Sequence, residues 1–507
     1  MEAFVSGGAG GVGAAAVVGV FVAAAVVGGF VAAVALAERA GVIAPRKRPN
    51  APPAVPGLPI IGNLHQLKEK KPHQTFTKWA EIYGPIYTIR IGASSVVVLN
   101  STEVAKEAMV AKFSSISTRK LSKALTVLTR DKSMVATSDY GDFHKMVKRY
   151  VMSSTLGTSA QYLSSATNYT YRVSVICEKF RDTRDMMINN MLSTFHKLVK
   201  DDPHVPLIFR DVFKDELFRL SMIQSLGEDV SSVYVDEFGR DISKEEIYNA
   251  TVTDMMMCAI EVDWRDFFSY LSWVPNKSFE TRVFTAEARR TAVMRALIKQ
   301  QKERIILPWS PQNGPCTSLP RTLTNRQEIF VTLFQLILGI INPNVFFWAF
   351  FWSCQERLYQ EIREVCGDET VTEEHLPRLP YLNAVFHETL RRHSPVPLIP
   401  PRFMVINLYG CNMNKEWASP EEWVPERFTG GRLEVADMYK TMAFGAGRRA
   451  YAGSLQVMHI ACTAIARFVQ EFGWRLTEGD EEKVDTVQFT AYKLHPLHVH
   501  LTPKGRM

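Results

Sequence analysis

Phe444-Gly445-Ala446-Gly447-Arg448-Arg449-Ala450-Tyr451-Ala452-Gly453 leads into an apolar helical stretch from Leu455 to Phe472. Glycines at this density let a backbone pass close beneath a ligand, and the arginines offer charge-assisted hydrogen bonds to an anion. By itself such a loop suits a phosphate as well as any other anionic group, so the motifs upstream decide the reading. His387-Glu388-Thr389-Leu390-Arg391 sets a glutamate and an arginine three apart, on one helix face. Alone, that spacing is most often a surface ion pair worth under about 1 kcal/mol. Pro425-Glu426-Arg427-Phe428 then follows, ahead of the glycine loop.

In that order the three motifs resemble the cytochromes P-450, whose loop reads Phe-x-x-Gly-x-Arg-x-Cys-x-Gly. This chain matches at Phe444, Gly447, Arg449 and Gly453. The resemblance implies a mainly α fold with small β-sheets (α+β), an N-terminal transmembrane helix and a haem cofactor. It also implies that Phe444 packs near the iron ligand, that Arg449 meets a haem propionate, and that Glu388, Arg391 and Arg427 form a buried network fixing the loop. Arg402, in Pro400-Pro401-Arg402, matches a second propionate position, and Lys148 a basic position on the helix beginning near Phe143; His144 stands where tryptophan is common. The stretches Asp139–Lys145 and Asp437–Gly445 are similar to plant ent-kaurene oxidases in particular. That subfamily oxidises a methyl group of a tetracyclic diterpene in successive steps toward gibberellins. The partners so implied are an apolar diterpene and an NADPH-dependent flavoprotein reductase.

Four departures from the pattern bear on activity. Tyr451 occupies the position of the haem-ligating cysteine, and tyrosinate is a harder donor than the thiolate that favours O–O cleavage. Cys462 lies three helical turns onward, about 16 Å by helix rise, and does not replace it. Asn342 and Pro343 fall where the family carries an acid followed by threonine; neither is a general acid, and the proline removes a helical hydrogen bond. Residues 403–406 run almost directly from Arg402 into Ile406-Asn407-Leu408-Tyr409-Gly410, which shortens a strand-and-turn region of the family. Finally, 307–354 loses the resemblance and regains it at Gln355-Glu356-Arg357-Leu358, as a frameshifted or mis-spliced reading would. An unbroken transcript encoding these same residues would defeat that idea. The alternative to an active monooxygenase is therefore a catalytically degenerate paralogue that keeps the fold or binds an apolar ligand.

The rest of the chain frames this domain. Residues 1–10 form a lead, 11–38 a transmembrane anchor, 39–59 a basic and proline-rich hinge, and 60–507 the main domain. No charge occurs from Ala3 to Ala37, a run longer than the roughly 20 residues a helix needs to cross hydrocarbon. Arg39, Arg46, Lys47 and Arg48 follow it, so the positive-inside bias leaves the body cytosolic, on endoplasmic reticulum or outer plastid envelope. A cleaved signal peptide is disfavoured by the acidic start and the length of the apolar run. The uncharged, aromatic-rich interval Ile329 to Gln355 reads either as a second span or, given Asn342-Pro343-Asn344 in its middle, as a buried central helix.

Strand-like runs occur at Ile86–Ile91 and Ser95–Leu99. Helical periodicity covers Phe76–Tyr83, Thr102–Ala111, Phe143–Val151, Ala160–Val199, Lys244–Ile260 and Thr285–Gln301. The net charge of +7 is spread over 59 basic and 52 acidic residues, which suits a solvated surface or an anionic membrane face and gives no sign of nucleic-acid binding. Seven scattered cysteines fit neither a disulfide framework nor a zinc site. The methionines at 186, 187 and 191 and at 255–257 read as soft core filler.

Overall fold

The computed structural model describes residues 50–67, 71–151, 170–204, 206–306, 354–394, 396–399, 404–429, 440–477, 486–487, 490–491 and 498–504. The transmembrane anchor, Arg402, Asn342 and Pro343 lie outside the described residues, as do all but Cys354 of 307–354. Among the described residues no helix is long and apolar enough to cross a membrane. The architecture is mainly helical with small sheets, as the motifs implied.

Helix α1 (Pro72–Tyr83) starts on a proline, whose missing N–H is one that a first helical turn leaves unbonded anyway. Strands β1 (Ile86–Ile91) and β2 (Ser94–Leu99) then pair antiparallel around the two-residue turn Gly92-Ala93. Gly92 sits at φ +57°, and a Cβ there would come within 2.3 Å of the Phe267 carbonyl, so this turn requires glycine. The proline-rich link is less free than a spacer. Thr88 N donates to Pro53 O at 2.7 Å and Val55 N to Thr88 O at 2.9 Å, which attaches the second half of the link to β1.

Helices α2 (Asp142–Val151), α3 (Thr170–Asp201), α4 (Phe209–Leu226), α5 (Lys277–Ile306), α6 (Gln355–Cys366), α7 (Pro380–Arg392) and α8 (Ser454–Glu471) supply the bulk. The expected helix over Thr285–Gln301 begins earlier and ends later, as α5. Those over Thr102–Ala111 and Lys244–Ile260 each contain a π-turn, at Glu107–Ala111 and Asn249–Thr253.

The main core joins α3, α4, α6, α7 and α8 to the strands Phe472–Leu476 and His498–Pro503, with Phe195, Phe209 and Phe468 in mutual ring contact at its centre. Helix α8 is buried on every face from Leu455 to Val469, the pattern of a helix inside a large domain. Methionine filler holds for Met187 and Met191, but Met186, Met256 and Met257 are exposed, because their helices turn those faces to solvent. The described free cysteines, Cys258, Cys354, Cys366, Cys411 and Cys462, are all buried.

Two features place the loop Phe444–Gly453. Strand β3 (Leu398–Ile399) pairs antiparallel with β4 (Met404–Asn407), which runs parallel to β2, forming the sheet β1-β2-β4-β3 on one side of the loop. Met404–Asn407, most of it in the interval atypical by sequence, thus supplies an inner strand whose Ile406 is fully buried. On the other side α8 starts at Ser454, immediately after Gly453.

Candidate functional site

The support beneath the loop is a buried ion network. Arg391 Nε and Nη2 donate to both carboxylate oxygens of Glu388 at 2.7 and 2.8 Å, and both residues are fully buried. The α7 spacing of three residues creates the pair, and packing on all sides removes it from water. Glu388 also accepts from Val424 N at 3.0 Å and faces Arg427 Nε at 3.6 Å. Arg391 further donates to Asn412 O at 2.9 Å and Glu422 O at 3.2 Å. Arg427 reaches the carbonyls of Ala418 and Ser419. The three residues named from sequence therefore meet and tie α7 to the segment preceding the loop.

The loop itself is closed by backbone bonds. Tyr451 N donates to Phe444 O at 2.8 Å and Ala450 N to Gly447 O at 3.0 Å. Gly445 and Gly447 sit at φ +71° and +66°, and a Cβ on Gly447 would approach Met109 O to 2.5 Å. Gly447 is thus required by both conformation and space.

Cations converge on one flank. Arg449 donates to Ser138 O, while its Nε is buried with no hydrogen-bond partner. Lys148, on α2, donates to Arg448 O at 2.8 Å and Ala450 O at 3.0 Å, so in this structure it clasps the loop backbone. His144 is buried; its Nδ1 lies 2.9 Å from Ser138 Oγ, and its Nε2 is buried with no hydrogen-bond partner. Burial, then the charges of Arg449 and Lys148, holds the His144 imidazole down at about 4, hence neutral at pH 7. Burial and then Arg449 also lower Lys148, and they bring Arg119 down to about 10. Arg119 was not singled out from the sequence: it stands more than 300 residues from the loop in a stretch without a motif, and only the fold brings it close. It shares with Arg449 a cleft whose walls are Met109, Phe113, Ile116, Ile399 and Ile406.

Tyr451 is half-buried. Its ring lies nearly parallel to that of Phe444, with centroids 6.1 Å apart and 14° between planes. The phenol end folds back over Gly453, where a Cβ would meet the ring and hydroxyl at 3.0 Å. The space left by the missing Cβ of Gly453 thus holds the extra reach of a phenol over a thiol. Burial pushes the phenol above its ordinary value and keeps it protonated at neutral pH.

The family model "Cytochrome P450" matches residues 52–308 and 352–500, and the chain belongs to that family. Membership places it among the haem-dependent monooxygenases, which work with a redox partner on hydrophobic substrates. The chain is 76% identical to "Ent-kaurene oxidase 2" of Oryza sativa subsp. japonica over the whole of both chains. That alignment spans 532 positions against 507 residues here, so the relative carries residues without a counterpart in this chain. It is 94% identical to "Ent-kaurene oxidase-like protein 1" of the same organism over 60% of this chain and 97% of the relative, and 47% identical to "Ent-kaurene oxidase" of Salvia miltiorrhiza over 90% of each. The chain is of the ent-kaurene oxidase-like subfamily.

Haem, which the family implies, can be tested against these residues in two parts. The flank fits its carboxylates: Arg119 and Arg449 share an apolar cleft, and Arg449 Nε is buried with no hydrogen-bond partner. The axial position does not fit, because it holds a protonated phenol packed onto Gly453 in place of a thiolate.

Proposed function

We propose that this chain is a diterpene-directed relative of the ent-kaurene oxidases. The family's reaction on such a substrate is oxygen insertion at haem iron, with dioxygen and electrons from an NADPH-dependent flavoprotein reductase. Similarity along nearly the whole chain to proteins named as ent-kaurene oxidases, at 76% and 47% identity, supports this reading most strongly. The uncharged N-terminal run supports tethering to membrane lipid, with the body on the cytosolic side of endoplasmic reticulum or outer plastid envelope.

One observation favours a second reading: Tyr451 at the ligand position, protonated and packed into its own loop. On that reading the chain is a paralogue that retains the fold and binds an apolar ligand without inserting oxygen. Asn342 and Pro343, at the acid–threonine position, point the same way by sequence.

Both readings are tested by supplying a tetracyclic diterpene hydrocarbon with reductase and NADPH, then measuring ligand binding and oxygenated product by mass spectrometry. Binding without product in the unaltered chain supports the second reading, and oxygenated product supports the first. Failure to bind any diterpene overturns both. If Tyr451→Cys restores the ligand yet yields no product, the block lies also at Asn342-Pro343 or at the shortened 403–406 region.

A further inference from the structure

The two halves of the site disagree: one flank is built for carboxylates, while the axial position offers no anionic donor. From this we infer that the chain recognises the porphyrin through its carboxylates and apolar ring alone, so that its affinity does not depend on the iron. The inference rests on the reading that Tyr451 is not a ligand.

Three observations carry it. First, Arg119 and Arg449 open into one cleft with apolar walls, a combination that suits a flat hydrophobic molecule bearing acid groups. Second, Arg449 Nε and His144 Nε2 are buried without hydrogen-bond partners. Buried polar atoms left unbonded are costly, and an anionic oxygen among these cations would satisfy the arginine and relieve its repulsion from Arg119. Third, Tyr451 is engaged elsewhere: its ring lies beside Phe444 and its hydroxyl end over Gly453, whose missing Cβ provides the room. Turning the phenol toward an iron would give up this packing. A protein–metal bond therefore adds nothing to the affinity, and a metal-free ring satisfies the same contacts.

The test titrates the full chain with haem and with metal-free protoporphyrin IX, following haem absorbance, porphyrin fluorescence and tryptophan quenching. The dissociation constants should agree within about threefold, a difference well below that of a single charged hydrogen bond. Protoporphyrin dimethyl ester, with its carboxylates blocked, should bind about tenfold or more weakly, as should the free acid to the double variant Arg119→Gln, Arg449→Gln. The ester arm needs no altered protein, so the carboxylate half stays testable if the double variant fails to fold. Tyr451→Phe keeps the ring and removes the oxygen; it should change neither haem affinity nor the haem spectrum.

Haem binding more than about tenfold tighter than the metal-free ring, with Tyr451→Phe erasing the difference, would show tyrosinate ligation and overturn the proposal. Equal binding of ester and free acid would overturn its carboxylate half. Lack of binding by either porphyrin would overturn it outright. Diterpene binding is measured separately. Porphyrin bound with no diterpene bound would sink the proposed function and leave this inference standing.

Discussion

The Glu388–Arg391–Arg427 network and the Phe444–Gly453 loop it supports have fared differently. The network keeps the geometry its motif implies: two fully buried partners, bidentate contact at 2.7 and 2.8 Å, and further bonds to three backbone groups. The loop has the glycines, the arginine and a backbone closure but carries Tyr451 where the family's pattern has its cysteine. The contrast separates holding the fold from performing the chemistry. A buried charge cannot be lost singly without leaving its partner unpaired, whereas a ligand position tolerates another side chain wherever the loop has room for it.

The largest expected effect lies in the network. Glu388→Ala leaves the Arg391 charge buried and unpaired and should destabilise the domain by about 3–5 kcal/mol in denaturant unfolding. A loss below about 1 kcal/mol, typical of a surface pair, would break the comparison at its first term.

Next is a second buried cluster, against the main core. Glu373 accepts from Arg184 at 2.5 and 2.8 Å and lies 2.7 Å from His459 Nδ1. Burial would raise this carboxyl, but the bonds from His459 and Arg184 outweigh it and hold it at about 2. Its folded value is depressed, so its contribution is complete above the ordinary carboxylate range near 4.5 and is lost as pH falls toward 2. Thermal unfolding should therefore weaken by roughly 3 kcal/mol across that interval, and Glu373→Gln should remove this part of the pH dependence. A pH dependence unchanged by Glu373→Gln would locate the acid sensitivity elsewhere.

Gly447→Ala sharpens the comparison inside the loop. It forces a left-handed backbone and a contact with Met109 O, and should cost about 1–3 kcal/mol in unfolding. Smallest is Tyr451→Cys. It gives up a half-buried ring and should cost about 1–2 kcal/mol, yet change the spectroscopy of bound haem most. A loss as large as that of Glu388→Ala would mean that Tyr451 has become part of the fold's support.

Legibility in the sequence followed the same division. The two strands flanking Gly92, the apolar helix that follows the loop and the meeting of Glu388, Arg391 and Arg427 could be read in advance, because each rests on short-range periodicity or on motif order. Phe444, Gly447, Arg449 and Gly453 were legible as a loop, but the orientation of Tyr451 was not, since it depends on space left by Gly453 and on the face offered by Phe444. Lys148 was placed on its helix, whereas its hold on the Arg448 and Ala450 carbonyls spans about 300 residues, a separation no local pattern encodes. Arg119 and Ser138 were missed for the same reason. The exposed Met256 and Met257 show the converse error, since residue type alone does not fix which helix face turns inward.

The most direct measurement is the carbon monoxide difference spectrum of the reduced, haem-supplied protein, taken beside Tyr451→Cys. With Tyr451 at the ligand position, the unaltered chain should show no thiolate-type Soret band and the cysteine variant should show one. A thiolate-type band from the unaltered chain would contradict this reading of Tyr451.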